Sequence, residues 1–154
     1  MHLDHSGLEI LDRDECLALL ARTAVGRIVF THQALPAVQP VNFAFNGTDI
    51  VIRTSGASRL ATAATGTIVA FEVDEFDTGA RTGWSVVAIG PARHVTAPDE
   101  LRVLERLPLE TWAAGERDHY ICLRPELITG RRIPAAGPSS ADRGPTALLA
   151  RGTG

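Results

Sequence analysis

Alternation between hydrophobic and polar positions is the main pattern along this chain, and it predicts strands. Val41, Phe43 and Phe45 fall on one face of residues 37–45, as in a strand with one buried side. Asn46-Gly47 follows directly and is a typical two-residue hairpin turn, so we expect the chain to fold back along residues 49–54. The same reasoning predicts strands at residues 27–32, 67–74, 84–95, 119–124 and 127–133.

Two of these strands contain residues that interrupt regular pairing. Pro40 lies inside the 37–45 run, and because proline has no backbone N–H it indicates an edge position, a bulge or a place where the sheet gives way to a ligand. Gly90-Pro91 interrupts residues 84–95, which predicts a bend or a bulge in that long strand.

Helical signals are fewer and shorter. Residues 11–22 are predicted as a helix that begins with a capping box formed by Asp12 and Glu15, in which each side chain binds the backbone of the other. A short helix is expected near residues 58–65, and another at 99–106 with Thr96 as its cap. With about seven strands and no regular alternation of strands and helices, the fold class is mainly β, and a closed antiparallel barrel is the expected architecture.

The predicted folded domain covers residues 11–133. Residues 1–10 are expected to be a flexible N-terminus. Residues 134–154 are rich in Pro, Gly, Ser and Ala, a composition that predicts a disordered C-terminal tail.

The stretch from Ile50 to Leu60 combines a strand end, a Ser-Gly turn and a helix start, and it carries the clearest candidate chemistry. A helix N-terminus offers unpaired N–H groups, and a glycine such as Gly56 lets a ligand approach the backbone. Arg53 and Arg59 could each contact a phosphate. The alternative interpretation is an ordinary capped helix flanked by two solvated arginines.

Composition narrows the class of protein. The chain has 154 residues, of which 45% are hydrophobic, and a net charge of −3. This argues for one domain with a real core and against non-specific nucleic-acid binding. The first residues lack a signal-peptide core, and no apolar run is long enough to cross a membrane. Two cysteines are too few for a disulfide framework. A cytoplasmic protein is therefore expected. Because every basic residue is arginine, Schiff-base chemistry on a lysine is impossible.

Other polar groups give weaker signals. The amide of Asn42 could address a ring carbonyl or nitrogen, although a solvent-facing residue on a half-exposed strand explains it equally well. Trp84 could form an apolar wall for a flat ring or simply belong to the core. His119 and Cys122 have the spacing of half a metal site, but no second pair accompanies them, so no metal site is predicted. No nucleophile or acid–base pair stands out, and the catalytic residues are left unassigned.

Taken together, these pieces resemble the pyridoxamine 5′-phosphate oxidase-like FMN-binding split-barrel superfamily, especially its small actinobacterial members and the related nitroimidazole-resistance reductases. The resemblance covers most of residues 11–133. It rests on the order and spacing of short segments, namely Val25-Gly26-Arg27-Ile28, Pro40-Val41-Asn42-Phe43, Ile52-Arg53-Thr54 with Gly56-Ala57-Ser58-Arg59-Leu60, Gly83-Trp84-Ser85-Val86, and Ile128-Thr129-Gly130-Arg131.

The resemblance implies a six-stranded antiparallel split barrel that forms a homodimer, with flavin mononucleotide (FMN) bound between the subunits. By the same resemblance, the phosphate would be held by Arg53, Thr54, Ser58 and Arg59. The ring would be lined by Pro40, Val41 and Asn42. Trp84 and Ser85 would approach from a neighbouring strand or from the other subunit.

The leading functional hypothesis is therefore an FMN-dependent oxidoreductase acting on a small organic molecule, with no nucleic-acid or membrane partner. A deazaflavin coenzyme is an alternative, with Arg27, Arg81 or Arg131 available for its longer acidic tail. A non-catalytic flavin or haem binder is another, and haem would need His32, His94 or His119 as an axial ligand. A third alternative is a barrel that has lost its ligand and serves as an interaction module.

Overall fold

The computed structural model describes residues 1–136. The predicted C-terminal tail therefore lies outside the described residues from position 137 onward. In chain order the elements are β1 (Glu9–Leu11), α1 (Arg13–Ala21), β2 (Val25–His32), β3 (Leu35–Phe45), β4 (Ile50–Thr54), α2 (Arg59–Ala64), β5 (Ile68–Asp77), β6 (Thr82–Val95), α3 (Pro98–Leu104), β7 (His119–Leu123) and β8 (Leu127–Ile133).

Six antiparallel strands close into a barrel in the order β2, β3, β4, β7, β6, β5, and β5 pairs again with β2. The predicted six-stranded antiparallel barrel is confirmed. Two further strands extend the sheet outside the ring, since β8 pairs with β6 and β1 pairs with β8.

The long strand β6 changes partners at the predicted interruption. It pairs with β5 up to Pro91 and with β7 from Ala92 onward. A Cβ atom at Gly90 would lie 1.7 Å from the backbone oxygen of Arg124. Only glycine allows this close approach, which brings the chain after β7 against the bend.

Two hydrophobic clusters hold these elements together. The larger one fills the barrel and includes Phe71, Ile28 and Leu60 together with the buried face of α1. The smaller one lies under α3 and includes Val51, Leu104 and Leu109. Leu109 thereby anchors the start of the irregular segment that connects α3 to β7.

The N-terminal residues form more structure than the sequence analysis expected. Leu11, assigned there to the first helix, belongs to β1 and pairs with Gly130 of β8. Helix α1 begins only at Arg13, because Asp12 is its N-cap with both hydrogen bonds of the predicted capping box. Asp4 also forms an ion pair with Arg131 at 3.1 Å.

Two further boundaries differ from the prediction. Thr96 is not a cap, since α3 begins at Pro98 after Ala97 and has no side-chain cap bond. Strand β5 continues to Asp77, three residues beyond the predicted end at position 74. Among residues 1–136, no helix is long and apolar enough to cross a membrane.

Candidate functional site

A cleft opens where β3 lacks a second neighbour. β3 pairs with β2 from Leu35 to Asn42, but with β4 only from Phe43 to Phe45. Pro40 therefore lies where one edge of β3 is free of ladder bonds, as expected for a proline inside a strand. The cleft has a volume of about 360 Å³ and is lined by Val25, Gln39, Pro40, Val41, Asn42, Arg53, Thr54, Thr111, Trp112, Ala113 and Arg117.

Many of the predicted contact residues meet in this cleft. Pro40, Val41 and Asn42 supply one wall from β3, and Arg53 and Thr54 come from the end of β4. The two strands are brought together by the Asn46-Gly47 hairpin, in which Gly47 has a φ of +95°.

Ser58 and Arg59 follow Thr54 in the sequence but do not line the cleft. The Ser58 hydroxyl oxygen accepts a hydrogen bond from the Ala61 N–H at 3.0 Å and lies 2.8 Å from the Thr54 hydroxyl oxygen. Ser58 is thus the N-cap of α2, as the alternative interpretation of this stretch supposed. Arg59 is exposed and does not line the cleft.

Trp84 and Ser85 do not line the cleft within a single chain. Successive strand residues point to opposite faces, and the Trp84 side chain, 7% exposed, packs in the barrel core. Ser85 lies on the outer face, opposite Asp74 of β5 and Arg131 of β8. Their assignment to the cofactor stays a prediction that depends on a second subunit.

The sequence analysis missed a loop, residues 108–118, that forms the remaining wall. The Oδ1 atom of Asn42 accepts a hydrogen bond from the Trp112 backbone N–H at 2.9 Å. The Arg53 guanidinium donates two hydrogen bonds to the Arg117 carbonyl oxygen, from Nε at 3.0 Å and from Nη2 at 2.8 Å. Asn42 and Arg53, predicted as direct cofactor contacts, therefore also fasten this loop across the cleft.

The cleft is positively charged, although the chain as a whole carries a net charge of −3. Arg53 and Arg117 line it, and no carboxylate does so among residues 1–136. Neither arginine forms an ion pair with another described residue. Within residues 1–136, the two guanidinium groups have no countercharge, which is the electrostatic environment that an anion requires.

Two histidines lie beside the loop that follows Thr54. A Cβ atom at Gly56 would lie 2.4 Å from Nε2 of His119, so the absence of a side chain at Gly56 makes room for that ring. The His119 Nδ1 atom is 2.9 Å from Nε2 of His94, and the rings are stacked. This hydrogen bond occupies one ring nitrogen of each histidine. An axial bond from either histidine to a haem iron would therefore have to use the other ring nitrogen or break the hydrogen bond.

The sequence profile described as Pyridoxamine 5′-phosphate oxidase matches residues 12–132, which include the barrel and the whole cleft. The chain belongs to this family. The resemblance recognised in the sequence is thereby confirmed.

Other proteins that are similar to this chain support the same family assignment. An uncharacterised protein of Mycobacterium tuberculosis is 40% identical over 130 residues, covering 81% of this chain and 85% of that protein. A solved structure described as the FAD binding protein from Mycobacterium smegmatis is 35% identical, with a TM-score of 0.68, and covers 80% of this chain and 95% of the other. A proposed pyridoxamine 5′-phosphate oxidase from Corynebacterium glutamicum is 30% identical, with a TM-score of 0.74, over 85% of this chain and 96% of that one.

Proposed function

We propose that this family member is a flavin-dependent oxidoreductase that binds FMN in the β3–β4 cleft. One observation carries the proposal: the cleft joins an apolar strand wall to two arginines that have no countercharge among residues 1–136. A flat ring with an anionic group needs both features. The buried Nε atom of Arg117 has no hydrogen-bond partner among residues 1–136, which also fits a ligand that brings an acceptor.

Different residues of the cleft would contact different parts of the cofactor. Pro40 and Val41 would pack against the ring, and the Asn42 amide would fix its orientation. The phosphate would lie beside Arg53, Thr54 and Arg117, which line the same cleft. The 108–118 loop would restrict solvent access from the open side. Bound flavin supplies the electron or hydride transfer itself, so the protein's task is positioning and exclusion of water.

A non-catalytic flavin carrier is the second candidate. It is favoured by the absence of Asp, Glu, His and Cys from the cleft lining in the described part of the chain, because such a wall offers no obvious general acid or base. The two candidates differ in turnover. An oxidoreductase is reduced by a nicotinamide cofactor and reoxidised by a small acceptor, whereas a carrier releases its flavin unchanged.

The outer face of the barrel sheet supports a proposed homodimer. Leu127, Ile89, Ala70, Val29 and Val38 are register partners across β8, β6, β5, β2 and β3. This outer apolar row ends at Leu127 and Val38, which are 57% and 64% exposed. Val38 and Pro40 are two residues apart on β3 and so share a face. We therefore propose that a second copy covers the row and closes the cleft.

The dimer is tested by light scattering on matched variants. Val38→Glu inserts a charge into the outer apolar row and should give monomers that bind flavin weakly. Val103→Glu is the control, because Val103 is similarly exposed, at 61%, but lies on α3. A Val38→Glu protein that remains dimeric would remove this interface.

The cofactor is tested by visible absorbance of the purified protein and by titration with FMN, FAD and a deazaflavin. FMN bands that stay with the protein through gel filtration would support the proposal. Preference for FAD, as in the name of the Mycobacterium smegmatis relative, would replace FMN but keep a flavoprotein. A Soret band would favour the haem alternative, and a protein that binds none of these would refute the cofactor assignment.

The proposed compartment is the cytoplasm. Cys16 and Cys122 are free and buried. Burial raises the pKa of the Cys16 thiol, and it raises the pKa of the Cys122 thiol to about 11. Both thiols are thus suited to remain reduced and unreactive.

A further inference from the structure

Arg117 has an unusual environment for an arginine. Its Nε atom is buried and has no hydrogen-bond partner among residues 1–136, although a buried unpaired donor on a charged group is costly. The residue lines the cleft. It lies in the 108–118 loop, which contains no helix or strand before β7 begins at His119.

The position of Arg117 is set by Arg53. Both Arg53 hydrogen bonds go to the Arg117 carbonyl oxygen, and the Arg53 guanidinium also lies over the Tyr120 ring, 5.4 Å from its centre. The Arg53 nitrogen atoms Nε and Nη2 are therefore already used within the protein. Among residues 1–136, the Nε of Arg117 is the one buried side-chain donor that lacks an acceptor.

Arg53 and Arg117 line the same cleft, and no carboxylate among residues 1–136 lines it. An anion bound beside them would offset this positive charge. We propose that Arg117 is the side chain that recognises the anionic group of the ligand in the cleft, and that Arg53 is a positioning residue that acts through the Arg117 carbonyl. The identification of that ligand as a flavin phosphate rests on the proposed function; the recognition of an anion does not.

The test compares FMN with riboflavin, which has the same ring but no phosphate. Affinities are measured by the change in flavin fluorescence on binding. Arg117→Met removes the charge and keeps most of the side-chain length. We expect it to weaken FMN binding by about 10- to 100-fold and to leave riboflavin binding almost unchanged. Arg106→Met is the matched control, since Arg106 is exposed and does not line the cleft, and it should behave as wild type.

The role of Arg53 is tested by a double-mutant cycle. Arg53→Met should lower the preference for FMN over riboflavin. The double variant, Arg53→Met with Arg117→Met, should bind FMN no more weakly than whichever single variant has the lower FMN affinity. If the two losses multiply, Arg53 contacts the anion independently and the positioning role is wrong. Far-ultraviolet circular dichroism of each variant verifies that the barrel is folded.

The failure of this inference differs from the failure of the proposed function. The role of Arg117 is wrong if Arg117→Met binds FMN as tightly as the wild type does, or if it loses equal affinity for FMN and for riboflavin. Either result would leave the proposed flavin-binding function intact. If the wild type binds neither flavin, the cofactor is wrong, and pyrophosphate replaces it as the probe. Thermal stabilisation by pyrophosphate that Arg117→Met abolishes would then support anion recognition, and equal stabilisation of both proteins would refute it.

Discussion

The hydrogen bond between Asn42 and Trp112 predicts that a side chain of β3 controls the opening of the 108–118 loop. Asn42→Ala removes the acceptor for the Trp112 N–H, which lies 2.9 Å from Oδ1. One hydrogen bond contributes about 0.5–1.5 kcal/mol net. Because a factor of ten corresponds to about 1.4 kcal/mol, the opening equilibrium of this loop should rise about 2- to 10-fold.

The assay is amide hydrogen exchange followed residue by residue by NMR. Exchange at the Trp112 amide should accelerate by that factor in Asn42→Ala, since local opening governs exchange of such groups. Asn42→Asp keeps an oxygen acceptor and should retain the protection. Gln39→Ala changes another cleft-lining residue of the same strand and should leave the Trp112 amide unaffected. An unchanged Trp112 rate in Asn42→Ala would refute the reasoning, as would equal acceleration in Gln39→Ala.

Three further predictions concern stability and reactivity. Gly90→Ala should lower the free energy of unfolding, measured by urea denaturation, by about 1–3 kcal/mol or more, because its Cβ would lie 1.7 Å from the Arg124 carbonyl oxygen. Gly79→Ala is the control: its Cβ would have its nearest contact at 3.4 Å, so the free energy of unfolding should change little. Burial, followed by the charge of Asp74, raises the pKa of Glu72 against the opposing charge of Arg27. The contribution of this shift to stability is present below the ordinary glutamate pKa and is lost as pH rises through the raised value, so the stability of Glu72→Gln relative to wild type should increase between pH 3 and pH 7 in urea denaturation. The Cys122 thiol, with its pKa raised to about 11 by burial, should react with a thiol reagent only after unfolding, and rapid labelling of native protein would contradict this.

Features specified by neighbouring residues were predictable from the sequence. Asp12 and Glu15 meet within one helical turn, and both bonds of their capping box are present, at 2.8 and 3.0 Å. Pro40 was also informative, because the missing N–H of a proline restricts it to places in a sheet where no ladder bond is required of it. In both cases the physical cause lies within a few residues of the signal.

Features specified by distant residues were not predictable. Glu9–Leu11 is too short to show alternation, and it is a strand only because β8 pairs with it. Arg117 and Trp112 lie in a segment without periodicity, and their partners Arg53 and Asn42 are 64 and 70 positions away in the sequence. The available signal was a tryptophan and an arginine between a helix and a strand, which does not indicate where the barrel will place them.

The pairing of β1 with β8 places the first and the last strand of the described chain side by side. Glu9 lies opposite Arg132, and their side chains are joined by a hydrogen bond of 3.2 Å. A short linker from residue 136 to the N-terminus could therefore close the chain, with new termini opened in the tight connection between Asp77 and Thr82. Such a circular permutant should keep the barrel and its cleft, because none of residues 77–82 lines the cleft.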